Sequence, residues 1–447
     1  MSLWRNTEEV SKLSLRNVSD TPKNLAGTIA DAENWQPDDL RMFRFLKGVL
    51  NRIDVGYIAT YPPQECGIAT FTRDLASAIG KYTPFSNPVV VAVSDAGRIE
   101  QYSKIVKYCI TKSDLTSYLE AADFLNKSSV AVVSLQHEYG IFGGSDGEYI
   151  LDLLERLQKP VVTTLHTVLF KPYENQKRII QRIAELSAFL VVMVKTGKQM
   201  LIDGYGIPPD KIVVIPHGVP NVHRISANSV KKALGVQDRA VLSSFGLINR
   251  GKGLEYVIQA MPRILEKHPN AFYMVLGETH PGVRNYEGES YRQELLGLVS
   301  SLGLEKNVLF NNRYLTLEEL INYLCATDVY ITPYINKDQI VSGTLAYALG
   351  CGKAIVSTPY LYAEEVLSKG RGILVDFRNH AEIAGAVDRI LSDPVLRESL
   401  ESKAYKYGRR AAWFNVAIDY LDLFDNVRAH GKVRVIKAHG KNGEYGG

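Results

Sequence analysis

The sequence predicts an α/β protein built from two doubly wound parallel sheets in series, and three observations predict it. The first is length: 447 residues exceed what one hydrophobic core ordinarily fills, so about two domains of roughly 200 residues are expected. The second is the form of the apolar runs, which are continuous, β-branched and of strand length, as strands covered on both faces require. The third is their alternation with helical patterns, which supplies the crossovers that parallel pairing needs. Composition agrees, since 46% hydrophobic and 22% charged residues is ordinary globular chemistry.

In chain order, residues 1–52 are polar and read as an N-terminal extension with one amphipathic helix candidate at 37–51, PDDLRMFRFLKGVLN. Its acidic first turn and the later Arg41, Arg44 and Lys47 suit a helix macrodipole. Packing on the first domain and contact with a membrane surface are both open to it. From Ile53, strands are expected at 53–61, 88–94, 128–136, 160–165, 188–194 and 211–216, separated by helical patterns such as TFTRDLASAIGKY and DGEYILDLLERLQK. A second series is expected at 240–246, 271–277, 307–312, 329–334, 353–358 and 372–377. Pro and Gly in IPHGVPNVHRI mark the boundary, which gives one Rossmann-like domain at 53–218 and another at 219–404. A terminal helix is expected over 405–430 and a flexible basic tail over 431–447.

Several classes are excluded by what the chain lacks. A net charge of +4 gives no reason to expect nucleic acid. The four cysteines, Cys66, Cys109, Cys325 and Cys351, are far apart and read as free thiols in a reducing compartment. No apolar leader and no long apolar window is present, so a cytoplasmic protein is expected. There is no Asp-x-Asp, no G-x-S-x-G and no clustered metal-ligand spacing, so no metal site is expected.

In open parallel sheets ligands bind beyond the carboxyl ends of the strands, so the residues just after each strand carry the functional signal. In YPPQECGIATFTRDL, Gly67 lets backbone approach a phosphate or sugar at a helix N-terminus that favours anions. SLQHEYGIFGGSDG sets His137 and Glu138 at a strand end, as hydroxyl binders or as a structural pair, and TTLHTVL ends another strand at His166. Three strands thus deliver polar groups to one edge. In FGLINRGKGLEYVI, Gly246, Asn249, Arg250 and Lys252 form a cationic, glycine-rich helix start, the recipe for a diphosphate site. It is neither a G-x-G-x-x-G fingerprint nor a P-loop. In TPYINKDQIVSGTLAYALG, Ser342, Gly343 and Thr344 open a helix and Asp338 and Gln339 precede it; phosphate and sugar binding, or a well-capped helix with nothing bound, both fit.

With these residues in view, the chain resembles the family-4 retaining glycosyltransferases of GT-B architecture, from about Ile53 to Phe424. The resemblance is carried by CGIATFTRDL, TLHTVL, KIVVIPHGV, FGLINRGKG, and ALGCGKAIVST followed by AEEVL. It implies two Rossmann-like domains facing a central cleft. It also implies transfer of a hexose, with retained configuration, from a nucleotide-sugar donor of GDP-mannose or UDP-glucose type to a sugar or glycan acceptor. The nucleotide-sugar is then a substrate, and no cofactor or metal is needed. Gly67 is expected near the donor diphosphate, His166 beside the reacting carbon and acceptor, and Lys252 on the leaving diphosphate with Arg250 next to it. Gly246, Asn249, Gln339, Ser342, Gly343, Thr344 and Tyr347 are expected on the donor, and His137, Glu138 and Glu278 on the acceptor or sugar. The terminal helix is expected to cross back to the first domain near Trp413.

Two departures accompany the match. Leu247 stands where the family carries an arginine, and the family's Glu-x7-Glu becomes Gln339-x7-Tyr347, which replaces a ribose-gripping carboxylate by a phenol. They keep two alternatives open: a sugar-phosphate-dependent disaccharide phosphorylase or synthase, and a catalytically weak GT-B protein that binds glycan or nucleotide.

Overall fold

A computed structural model of the chain describes residues 53–83, 86–95, 102–222 and 227–430, all within one compact unit that starts at Arg52. The helix expected at 37–51, the rest of the N-terminal extension and the 431–447 tail lie outside the described residues.

The first sheet holds β1 (Val55–Ala59), β2 (Val89–Ser94), β3 (Val106–Thr111), β4 (Val132–His137), β5 (Val161–Leu165), β6 (Phe189–Val192) and β7 (Ile212–Val214). Its order is β3-β2-β1-β4-β5-β6-β7, and every pair is parallel. Its helices are α1 (Gly67–Tyr82), α2 (Leu115–Lys127), α3 (Tyr149–Arg156), α4 (Glu174–Leu186) and α5 (Lys195–Tyr205). All five residues of β1 and all six of β4 are buried, as a sheet covered on both faces demands.

The second sheet holds β8 (Ala240–Phe245), β9 (Ala271–Leu276), β10 (Val308–Asn311), β11 (Val329–Thr332), β12 (Ala354–Ser357) and β13 (Ile373–Leu374). Its order is β10-β9-β8-β11-β12-β13, again parallel throughout. Its helices are α6 (Ala227–Ala233), α7 (Leu254–Lys267), α8 (Pro281–Glu287), α9 (Ser290–Ser301), α10 (Leu317–Ala326), α11 (Gly343–Gly350), α12 (Leu361–Leu367), α13 (His380–Ser392) and α14 (Pro394–Arg410). Strand order reverses between β1 and β4 in one sheet and between β8 and β11 in the other. At such switch points neighbouring connections part to opposite faces and leave a crevice.

Two elements differ from expectation. β3 went unread because it is an edge strand: Lys107 is exposed and Tyr108 and Cys109 are only half-buried, so it carries no continuous apolar run. The single terminal helix expected from 405 is two helices, α14 ending at Arg410 and α15 (Trp413–His430). The break arises where the backbone of 411–413 turns to the strand-like segment at Val219. Val219 N–H donates to the Ala411 carbonyl at 2.8 Å and Trp413 N–H donates to the Val219 carbonyl at 2.9 Å. No helix breaker stands in RRAAWFN, so the stop is dictated by tertiary contact. α15 then packs on α1, and its Val416, Ala417, Tyr420 and Phe424 join Phe71 and Leu75 in the core of the first domain. Tyr420 and Thr164 of β5 meet through their hydroxyls at 2.9 Å. Among the described residues no helix is long and apolar enough to cross a membrane.

Candidate active site

The mouth of the second sheet is built around Lys252. β8 ends at Phe245, and Gly246 turns the chain with φ 126°, a conformation glycine adopts without cost. A Cβ there would lie 3.0 Å from Thr344 Cγ2 and 3.6 Å from Lys252 Nζ, so bare backbone lets the three groups converge. Lys252 itself closes a short 3-10 turn, Arg250–Lys252. Its ammonium donates to the Tyr334 hydroxyl at 2.6 Å and lies 4.1 Å from the centroid of that ring. The Tyr334 and Thr344 hydroxyls are 2.6 Å apart, and Thr344 and Ser342 are 3.1 Å apart. Burial by itself would raise the Tyr334 pKa, but Lys252 and the neighbouring hydroxyls hold it below the ordinary phenol value. Ser342 caps α11, its Oγ accepting from Leu345 N–H at 3.3 Å. First-turn amides of a helix lack intrahelical partners, so α11 presents donors beside a cation.

The mouth of the first sheet is furnished with histidines. His137 ends β4 and His166 follows β5, joined where His166 N–H donates to the His137 carbonyl at 3.0 Å. His166 Nε2 is 3.0 Å from Gln136 Oε1. Burial, followed by the neighbouring His217 and His137, lowers His166 to about 3. His137 is fully enclosed between Tyr139 and Phe142, and burial lowers it to about 3 as well. Neither of its ring nitrogens has a hydrogen-bond partner among the described residues. His217, from the connection between the sheets, lies 2.8 Å from the Gly218 carbonyl through Nδ1, and burial lowers it to about 4. Phe71 of α1 stands edge-on to His166, His217 and Trp413, with ring centroids 4.8, 5.2 and 5.2 Å away. A Cβ on Gly218 would sit 2.3 Å from the Trp413 ring, so glycine there makes room for the indole.

Side chains from the two sheets meet across the cleft. The Tyr347 hydroxyl donates to Asp74 Oδ2 at 3.0 Å, and Asp74 is also paired with Arg73 at 2.8 Å. Thr70 and Tyr314 meet at 2.8 Å. Glu65, just before α1, is pushed up to about 7, chiefly by the neighbouring carboxyl of Glu278 after β9. Glu278 is held low by its neighbour Glu65 and by Arg284, 3.1 Å away. Glu365 of α12 accepts from the Lys195 and Thr196 backbone N–H groups at 2.9 and 2.8 Å, which caps α5 from the other domain.

The residues expected from sequence sort as follows. Gly246, Lys252, Ser342 and Thr344 converge in one cluster, with Asn249 at the start of the Lys252 turn. Gly343 packs over His217, whose Nε2 is 3.0 Å from the place a Cβ would take. Gly67 opens α1, and nothing lies within 4 Å of where its Cβ would be, so its freedom faces open space. Arg250 has different partners from Lys252: its guanidinium is bidentate on Glu294 at 2.7 and 2.6 Å, reaches Glu287 at 3.1 Å and covers Tyr291. Gln339 donates its amide to the Val341 carbonyl at 2.9 Å. Glu138 accepts from Tyr139 N–H at 3.0 Å and from the Thr167 hydroxyl, which is a structural use of its carboxylate. Sequence reasoning passed over Tyr334, His217, Asp74 and Glu65. Tyr334 left a signal, since it stands two residues beyond a switch-point strand.

The comparisons with known proteins agree with this geometry. Residues 227–407 match the model described as Glycosyl transferases group 1, and residues 86–221 match that of Glycosyltransferase Family 4. An uncharacterized glycosyltransferase of Methanocaldococcus jannaschii is 27% identical over 265 residues, 56% of this chain and 64% of that protein. A D-inositol 3-phosphate glycosyltransferase of Acidothermus cellulolyticus is 27% identical over 293 residues, 62% of this chain and 64% of that protein. The chain thus spans a little under two thirds of the length of these two relatives. Among solved structures, a sucrose-phosphate synthase of Thermosynechococcus elongatus superposes with TM-score 0.69 at 16% identity, over 85% of this chain and 100% of that one. Anabaena HepE in complex with UDP and glucose superposes with TM-score 0.65 at 15% identity, over 83% and 100%. Two facing parallel α/β sheets and two family matches that run in order along the chain lead to one assignment: it belongs to the group 1, family 4 glycosyltransferases of GT-B fold.

Proposed function

We propose that this chain is a retaining glycosyltransferase that moves a hexose from a nucleotide-sugar donor to a sugar or glycan acceptor. One observation carries the reading: Lys252, backbone-bare Gly246 and the Ser342–Thr344 helix start converge at the β8–β11 switch point. A cation, exposed backbone and helix amides at one point are what a diphosphate requires. The named relatives, and a neighbour solved with UDP and glucose, support a donor of that kind.

On this reading the donor diphosphate lies against Lys252 and α11, with Gly67 near it, and the acceptor lies toward the first domain, near His166 and His137. The bond between the anomeric carbon and the phosphate oxygen breaks as the acceptor oxygen bonds that carbon on the same face. The acceptor proton passes to the departing phosphate oxygen. Negative charge grows on the diphosphate, where Lys252 and the α11 amides stabilise it more in the transition state than before it. His166, held neutral, orients by hydrogen bonding and adds no charge. Four free cysteines suit a reducing compartment, and we place the reaction in the cytoplasm.

The test is calorimetric titration of the purified chain with UDP, GDP, ADP and their hexose conjugates, followed by the anomeric configuration of any product. Tight binding of one nucleotide and an α-product from an α-donor are expected. Turnover that requires inorganic phosphate or a sugar phosphate would transfer the reading to a phosphorylase or synthase. Nucleotide binding without turnover, indifferent to His166→Ala, would mark a binding protein.

A further inference from the structure

Tyr334 lies across the switch point from Lys252, two residues beyond β11. Its ring and backbone are both anchored: the ring stacks on Tyr360 with centroids 5.1 Å apart and planes at 19°, and its own carbonyl accepts from Thr358 Oγ1 at 2.6 Å. Tyr360 is held in turn by Thr332, 3.2 Å from its hydroxyl. Lys252, by contrast, is a point charge on a flexible four-carbon stem. A rigid ring therefore meets a flexible cation, with the ammonium 2.6 Å from the phenol oxygen.

The chemistry of the groups fixes the direction of the first of these bonds. An ammonium only donates, and a phenol has one proton. The Tyr334 oxygen therefore accepts from Lys252, and its hydroxyl meets that of Thr344 2.6 Å away, where either can be the donor. A carboxylate in the same place would grip Lys252 harder but would cancel its charge. A phenol holds the ammonium in position and leaves that charge available to a ligand.

We propose that Tyr334 is a positioning residue for the diphosphate, acting through Lys252: it sets the ammonium beside the N-terminus of α11 and registers it with the Thr344 hydroxyl. The inference rests on the transferase reading above. It separates two jobs that the Lys252 side chain cannot do alone. The lysine supplies charge, and the tyrosine supplies the geometry that aims that charge and the α11 donors at the same phosphate oxygens.

Tyr334→Phe keeps the ring, its stack and its buried volume, and removes only the hydroxyl. UDP, GDP and ADP are titrated into the unmodified chain, Tyr334→Phe, Lys252→Ala and the double variant, together with the nucleoside of whichever diphosphate binds tightest. Tyr334→Phe is expected to weaken that diphosphate about tenfold, as loss of one charge-assisted hydrogen bond would. Nucleoside binding is expected to stay unchanged, and the substitution to have no further effect in the Lys252→Ala background. A loss that persists in that background, or that is equal for the nucleoside, would overturn the role through Lys252 and leave the transferase reading standing. If the unmodified chain binds none of the three diphosphates, the transferase reading falls and takes this inference with it.

Discussion

The two sheets share one strand reversal and one way of opening a crevice, yet their mouths carry opposite chemistry. In the second domain the mouth is cationic, with Lys252 set among the Tyr334, Thr344 and Ser342 hydroxyls. In the first domain it is lined by His137 and His166, with His217 against Phe71, all held neutral by burial at about 3, 3 and 4. A buried imidazole kept neutral can give or take a hydrogen bond at any physiological pH but cannot neutralise phosphate. Under the proposed function the difference teaches a division of labour: charge is handled by one domain, and hydroxyl orientation by the other. On the proposed reading the reaction needs the two mouths together, because leaving group and acceptor flank one carbon.

The most severe way to break that comparison is to take the cation from the second mouth. Lys252→Ala is expected to lower kcat/KM by about 10²-fold or more, the usual cost of deleting a transition-state charge partner. Steady-state transfer kinetics with the donor found by titration measure it. Near-normal turnover in this variant would move the diphosphate away from the α11 mouth.

The neutral mouth makes a prediction about acid. Each buried histidine has a folded pKa well below its ordinary 6.5, so between those values the unfolded chain binds protons that the folded chain does not. The folded state is therefore fully favoured above about pH 6.5 and loses stability as pH falls toward 4. The loss is about 1.4 kcal/mol per pH unit for each histidine once it is fully charged in the unfolded chain. Denaturant unfolding at pH 7, 6 and 5 measures the slope, and His217→Gln is expected to make it shallower. An unchanged slope would mean that His217 is solvated and that the first mouth is not dry. The same shifts predict that kcat/KM shows no histidine limb between pH 5 and 8.

How far each mouth was legible in the sequence follows from the same contrast. Lys252 could be read because glycines flank it directly after an apolar strand, and strand-to-helix glycines are a local signal. The sheets were legible strand by strand, apart from β3, since a run buried on both faces is apolar without interruption and the edge strand is not. What could not be read depends on distant partners. Tyr347 and Asp74 are 273 positions apart, and Thr70 and Tyr314 are 244 apart. Nothing local in LAYALG or FTRDL announces a pair that exists only once two domains face each other. Arg250 shows the converse. Its place beside Lys252 suggested a shared task, yet a 3-10 turn aims the two side chains at different partners.

The tie between the mouths offers a milder break. Tyr347 occupies the position where the resemblance leads one to expect a carboxylate, and its phenol reaches a carboxylate supplied by the first domain instead. If Asp74, oriented by Tyr347 and Arg73, serves the ribose, Tyr347→Phe and Asp74→Asn should each raise the donor KM by about tenfold, the worth of one hydrogen bond to a charged group. Acceptor KM should not move. Equal effects on both substrates would make the contact a domain strut rather than part of the donor site.

The smallest expected effect sharpens the comparison at its boundary, where the proposed function sets the hexose between the two mouths. Gln339 spends its amide donor on the Val341 carbonyl, which leaves its side-chain oxygen as an acceptor for a sugar hydroxyl. Gln339→Ala is thus expected to change the preference between two donor hexoses about threefold, the value of a neutral hydrogen bond, with little change in affinity for the free nucleoside diphosphate. Competition between UDP-glucose and UDP-galactose, or the corresponding GDP-hexoses, reads the preference. A loss shared equally by the free diphosphate would mean that Gln339 acts by shaping the loop before α11, and would place it with the charge-handling mouth instead of with the sugar.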